Sequence, residues 1–145
     1  MDASEQRRRV ESARVARLAT VDPDGNPHLV PVCFALRGDV VYTAIDEKPK
    51  RDAHPRRLAN LEATGRACLL VDEYREDWSR LWWVRLDGRG RVVDDGTAEA
   101  ADARAGLTAR YPQYAQRPPR GPVVAIEVSR WSGWSISGGG GQPPG

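Results

Sequence analysis

Apolar residues along this chain alternate with polar ones in short runs, and clusters of Gly, Pro and Asp separate the runs. That period of two predicts strands joined by tight turns. Residues 15–21 form the first run, and Asp22-Pro23-Asp24-Gly25 reads as a turn in which proline presets φ and glycine accepts a positive one. The returning run, residues 28–36, puts His28, Val30, Val32, Phe34 and Leu36 on one face and Leu29, Pro31, Cys33 and Ala35 on the other. Both faces are largely apolar, which predicts a strand covered on both sides. Pro31 cannot donate to a ladder, so a bulge or a sheet edge is expected there, and a bulge leaves backbone groups free for a ligand. Arg37-Gly38-Asp39 turns the chain into a strand over 40–44, and runs at 66–71, 81–93 and 123–128 bring the strands to six.

Three segments carry helical signals instead. Residues 2–14 open with Asp2 and Glu5 as a capping pair, residues 54–63 are closed by Gly65, and residues 97–110 combine a Thr97 cap with alanines and Leu107. An acidic, aromatic loop spans 72–78 and a Pro-rich connection spans 112–122. The elements show no βαβ alternation, so the expected fold is mainly β: a six-stranded antiparallel barrel with peripheral helices, one domain over residues 1–136. The Gly/Pro tail, 137–145, is expected to be disordered.

Composition narrows the function classes. A net charge of +2, with acids and bases interspersed, lacks the electrostatic footprint of a nucleic-acid binder. Arg7-Arg8-Arg9 is the one basic cluster and reads as a solvated helix face. Cys33 and Cys68 lie far apart in apolar runs and are expected to be buried, reduced thiols. With His28 and His54 the only histidines, no zinc set is expected. The absence of a membrane-length apolar run or a signal-peptide core predicts a cytoplasmic protein with no membrane contact.

Two features carry candidate chemistry. Lys48 and Lys50 are the only lysines, and they follow a strand ending in Tyr42-Thr43-Ala44. Compact ammonium groups beside a hydroxyl can hold a phosphate; a solvated loop is the other reading. In residues 81–86, alternation places Trp82, Val84 and Leu86 on one face and Trp83 and Arg85 on the other. The second face either lines a pocket for a flat ligand or meets another subunit, unless it plugs a barrel end. Trp131 and Trp134 add aromatic surface, which favours a homodimer sharing a planar ligand.

Three stretches in order, residues 15–34, 41–50 and 69–85, resemble the flavin- and deazaflavin-binding split β-barrels named after pyridoxamine 5′-phosphate oxidase. The resemblance spans about residues 10–135, and the second and third stretches are similar to an actinobacterial branch expected to use coenzyme F420, a deazaflavin. The resemblance implies a homodimer with cofactor at its interface. It implies that His28, Leu29, Val30, Pro31 and Val32 run along the ring, that Tyr42, Thr43, Lys48 and Lys50 hold the phosphate, and that Trp82, Trp83, Arg85 or Trp134 reach the site from the partner chain. The implied activity is hydride transfer from reduced F420 to a small conjugated or quinone-like acceptor. FMN is the alternative cofactor, in a flavin reductase or oxidase, and a non-catalytic cofactor-binding protein is the alternative role. The Arg-x-His C-terminal pattern of true pyridoxamine phosphate oxidases is missing, which argues against vitamin B6 oxidation. No catalytic residue is singled out; Tyr42, Tyr74 or solvent could supply a proton.

Overall fold

The computed structural model describes residues 1–45 and 55–136. Lys48, Lys50 and His54, and the tail at 137–145, lie outside the described residues.

One antiparallel sheet organises the chain. Its strands are β1 (Ala16–Val21), β2 (Pro27–Val32), β3 (Ala35–Arg37), β4 (Val40–Ala44), β5 (Arg66–Glu73), β6 (Trp82–Val93) and β7 (Val123–Ser135). Four helices accompany them: α1 (Ala3–Ser12), α2 (Arg56–Ala63), α3 (Ala98–Arg110) and α4 (Pro112–Gln116). There are thus seven described strands, not six. The run at 28–36 breaks at Cys33-Phe34 into two strands with different partners.

That break dictates the architecture. The spatial order is β2-β1-β5-β6-β7-β4-β3, so β2 and β3 are opposite edges of the sheet, yet only Cys33 and Phe34 separate them in the chain. Three steps of ~3.8 Å can span only about 11 Å. The sheet must therefore curl until its edges meet, closing a barrel with an unpaired seam between β2 and β4. At that seam β2 has only β1 as a partner, and β4 is paired with β3 through Val40, Val41 and Tyr42 only. Pro31 thus lies on a true edge, as its missing N–H requires.

The closed face holds the main core, with Leu18, Phe34, Val41, Leu58, Leu69, Val84, Leu86 and Ile126 all nearly inaccessible. Helix α1 caps this barrel. Asp2 accepts from the Glu5 N–H at 2.8 Å, while Arg7 and Arg9 lie over the Trp131 and Trp82 rings at 4.9 and 5.0 Å. Arg7 and Arg9 are therefore packing residues, and only Arg8 of the triplet is fully exposed. The expected solvated face gives way because long arginine stems cover indoles while their charges pair with Asp39 and Glu5.

A second core forms where α3 and α4 lie on the outer face of β4 and the first half of β7, joining Tyr42, Ala44, Ala103, Leu107, Val123 and Ala125. The predicted Pro-rich connection contains α4, with Pro112 in its first turn where a missing N–H costs nothing. Strand β7 runs seven residues beyond the predicted Val128 end, to Ser135. It continues past Ser129 through a bulge: Asp87 is opposite Arg130 and Gly88 is opposite Val128. The two-sided covering expected of residues 28–36 does not hold for β2, where Leu29 is 66% exposed and Pro31 is exposed. Cys33 and Cys68 are half-buried rather than buried.

Candidate functional site at the barrel seam

The seam is a groove of about 270 Å³ lined by Pro31, Val32, Cys33, Thr43, Ala44 and Arg57, with Val15 and Tyr114 at its margins. Each wall has a sequence reason. Pro31 and Val32 end the strand that loses its neighbour, and Thr43 and Ala44 lie beyond the last residue that β3 pairs. Helix α2 contributes Arg57 because Leu58 and Leu61 are drawn into the core and the buried Asn60 side chain donates to Thr20 Oγ1 at 3.0 Å. Those anchors fix the helix about its axis and put Arg57 in the groove lining.

Thr43 is only 2% exposed, and its hydroxyl donates to the Cys33 carbonyl at 2.7 Å. Its proton is engaged in closing the seam, which leaves its lone pairs for a ligand donor. An unpaired stretch of backbone beside an arginine suits a flat, heteroatom-rich ring with an anionic tail: backbone amides and carbonyls for the ring edge, guanidinium for the anion. At about 270 Å³ the groove falls just short of the ~300–1,000 Å³ usual for small-molecule sites.

The predicted site residues separate into groups. Pro31, Val32 and Thr43 meet in the groove. Val30 faces the main core from the same strand, and Leu29 points outward. His28 sits four residues from Val32, opposite Thr20, and its buried Nδ1 has no hydrogen-bond partner. Tyr42, adjacent to Thr43, points to the other side of the sheet. There its hydroxyl donates to Glu99 at 2.8 Å, and burial together with that bond pushes its pKa up.

Trp83 and Arg85 belong to a different surface. With Leu70, Tyr74, Trp78 and Trp134 they line an open cavity of about 550 Å³ on the outer face of β5, β6 and β7. Only the 3-10 turn Trp78–Arg80, through Trp78, lies at this face, and none of α1 to α4 lines the cavity. Trp83 and Trp134 are cross-strand partners, and both indole N–H groups are buried without an acceptor. Arg85 pairs with Asp87 at 3.1 Å. Cys68, on the same face, has its thiol pushed up to about 11 by burial and the nearby Asp87, so it is not a thiolate at neutral pH.

Val15, Cys33, Ala44, Arg57 and Tyr114 are the groove residues that sequence reasoning missed. The available signal was position: Arg57 is the second residue of α2, but in a chain with so many arginines it did not stand out.

Among the described residues, no helix is long and apolar enough to cross a membrane, and no three His, Cys, Asp or Glu side chains are placed to share a metal ion.

Solved structures share this architecture at low identity. A FAD-binding protein (mll6688) from Mesorhizobium loti is 20% identical with a TM-score of 0.71, over 92% of this chain and 94% of that one. The FAD binding protein from Mycobacterium smegmatis is 16% identical, with a TM-score of 0.65 over 92% and 94% of the two chains. HutZ, the heme storage protein of Vibrio cholerae, is 14% identical, with a TM-score of 0.70 over 92% and 93%. At these identities the likeness speaks for the fold alone. No curated protein matches the chain significantly. The family profile described as pyridoxamine 5′-phosphate oxidase, in contrast, matches residues 3–135, nearly the whole of the described structure. With the edges of its sheet meeting at a seam and that match along its length, the chain belongs to the pyridoxamine 5′-phosphate oxidase family of split barrels.

Proposed function

We propose that this protein is an oxidoreductase that binds coenzyme F420 in the seam groove and passes hydride to a small conjugated or quinone-like acceptor. The observation that supports it is the groove itself, where unpaired β2 and β4 backbone stands beside Thr43 and Arg57. The bound deazaflavin would supply the hydride. The chain's own residues hold and orient: the backbone from His28 to Val32 along the ring edge, and Arg57, Lys48 and Lys50 around the phosphate, while Thr43, whose proton is committed to the Cys33 carbonyl, braces the groove wall. Tyr42 contributes backbone only, since its side chain faces α3.

A second copy of the chain completes the site in this reading. The outer face carries exposed Leu29 and Leu70 beside two buried indole donors without acceptors, each an unfavourable arrangement for an isolated chain. Covering this face would bring Trp83, Arg85 and Trp134 against a partner and exclude water from the acceptor. Tyr42 is a poor proton donor because its proton is committed to Glu99. Tyr74, 63% exposed at the rim of the aromatic face, or solvent remains to supply one.

The choice of F420 rests on the similarity of residues 41–50 and 69–85 to the deazaflavin-using branch. A flavin, FMN by the same resemblance, is the second reading, supported by the FAD named for two structural neighbours. Parallel titrations of the purified protein with F420, FMN and FAD, read by cofactor fluorescence and tryptophan quenching, test the proposal. Tight F420 binding with weak flavin binding is expected. The reverse order would make the protein a flavoprotein, and binding of none would overturn the cofactor-site reading.

A further inference from the structure

The two residues that cross the seam, Cys33 and Phe34, have left one strand ladder and not yet joined the other, so their backbone groups need partners from elsewhere. Side-chain hydroxyls provide them. Thr43 donates to the Cys33 carbonyl, and the Phe34 N–H donates to the Tyr111 hydroxyl at 3.0 Å. The single proton of that hydroxyl is shared between the carbonyls of Arg14 at 2.9 Å and Phe34 at 3.1 Å. One oxygen thus ties three chain crossings together: the link from α1 to β1 at Arg14, the link from β2 to β3 at Phe34, and the junction of α3 with α4 at Tyr111.

The Tyr111 ring has little freedom. It is 6% exposed, sits edge-on to Tyr114 at 5.7 Å, and lies under the Arg14 guanidinium at 4.7 Å. Tyr114 and Cys33, its neighbours in space, both line the seam groove. Displacing the Tyr111 hydroxyl would free the Cys33–Phe34 crossing and change the distance between Pro31-Val32 and Thr43-Ala44.

We propose that Tyr111 is the positioning residue of the seam: its hydroxyl fixes the Cys33–Phe34 crossing and so sets the width at which the groove accepts a flat cofactor. This rests on the proposed cofactor site and adds to it a residue that does not line the groove. A brace that served stability alone would lower the melting temperature without changing how the groove meets its ligand.

The test compares Y111F, which removes only the hydroxyl, with T97A, which removes the α3 cap far from the seam. Both are expected to lower the melting temperature. Only Y111F should raise the dissociation constant of F420 or FMN, about tenfold, and shift the emission of the bound cofactor, since small misplacements at such sites are costly. A second readout needs no cofactor: in a C68S background, alkylation of Cys33 by iodoacetamide should be at least about fivefold faster in Y111F and unchanged in T97A. If Y111F matches wild type in both affinity and alkylation, or T97A matches Y111F, the positioning role is overturned. If wild type binds neither cofactor, the proposed function falls by itself, and the alkylation rates still decide whether Tyr111 sets the seam.

Discussion

The outer face of the sheet is built in two halves that are treated differently. Over β4 and the start of β7, helices α3 and α4 bury it: Ala100, Leu107, Val123 and Ala125 are inaccessible, and the polar groups among them are paired. Over β5, β6 and the end of β7, the same face presents Leu70, Trp78, Trp83 and Trp134 to an open cavity, with indole donors lacking acceptors. The difference separates a face whose apolar and polar groups are satisfied within the chain from one where they are not. A sheet face that one chain satisfies is structural, whereas one left apolar and polar-unsatisfied is where the proposed second copy would dock.

The sharpest way to break this comparison is to damage both halves equally. Leu107→Ala on the covered half should destabilise the fold by about 2–5 kcal/mol in chemical denaturation, the usual cost of a core cavity. Leu70→Asp on the open half should leave the stability of the single chain within about 0.5 kcal/mol, as for an exposed site, and yet abolish dimers in light scattering. A Leu70→Asp chain that unfolds, or one whose mass is unchanged from wild type, would erase the distinction.

The seam belongs to neither half and should respond only to ligand. Arg57→Ala is expected to cost about 1.5–3 kcal/mol of cofactor binding, the range for a hydrogen bond to a charged group. Lys48→Ala with Lys50→Ala should cost a similar amount per lost contact. Cofactor titration of each variant at fixed ionic strength checks this. Affinities equal to wild type would remove all three cations from the cofactor site.

Much of this was legible in the chain. Period-two alternation located the strands, Asp2 and Thr97 marked helix starts, and Pro31 pointed to an edge or a bulge, of which the edge is what forms. The seam was not legible, because it depends on which neighbours β2 and β3 choose: nothing local in Cys33-Phe34 signals that the ladder changes partner there. The β7 extension was hidden for a related reason. Ser129-Arg130 and Ser132-Gly133 look like loop residues, and only pairing with β6 across a bulge holds them extended. Side-chain direction decided the site in the same way. Tyr42 and Thr43 are neighbours in sequence, but a pleated strand sends them to opposite sides, so only one can reach the seam.

That last separation yields the smallest effect. On the covered half, Arg91 donates to both Glu99 carboxylate oxygens at 2.9 and 2.7 Å, and Tyr42 adds a third bond. The Arg91 bonds first, then the Tyr42 bond, lower the Glu99 carboxyl from its ordinary 4.5 to about 2. Since the folded value lies below the unfolded one, the resulting stabilisation is fully present above about pH 4.5 and disappears as the pH falls toward 2. Glu99→Gln should therefore lower the melting temperature modestly at pH 7, and the gap to wild type should close between those two values. Partial exposure and salt screening keep the effect small. Cofactor affinity should not change in Glu99→Gln or in Tyr42→Phe, because this network lies across the sheet from the seam. A loss of binding in Tyr42→Phe would mean that the two sides of β4 are coupled, and the division between covered and ligand-facing surfaces would have to be redrawn through that strand.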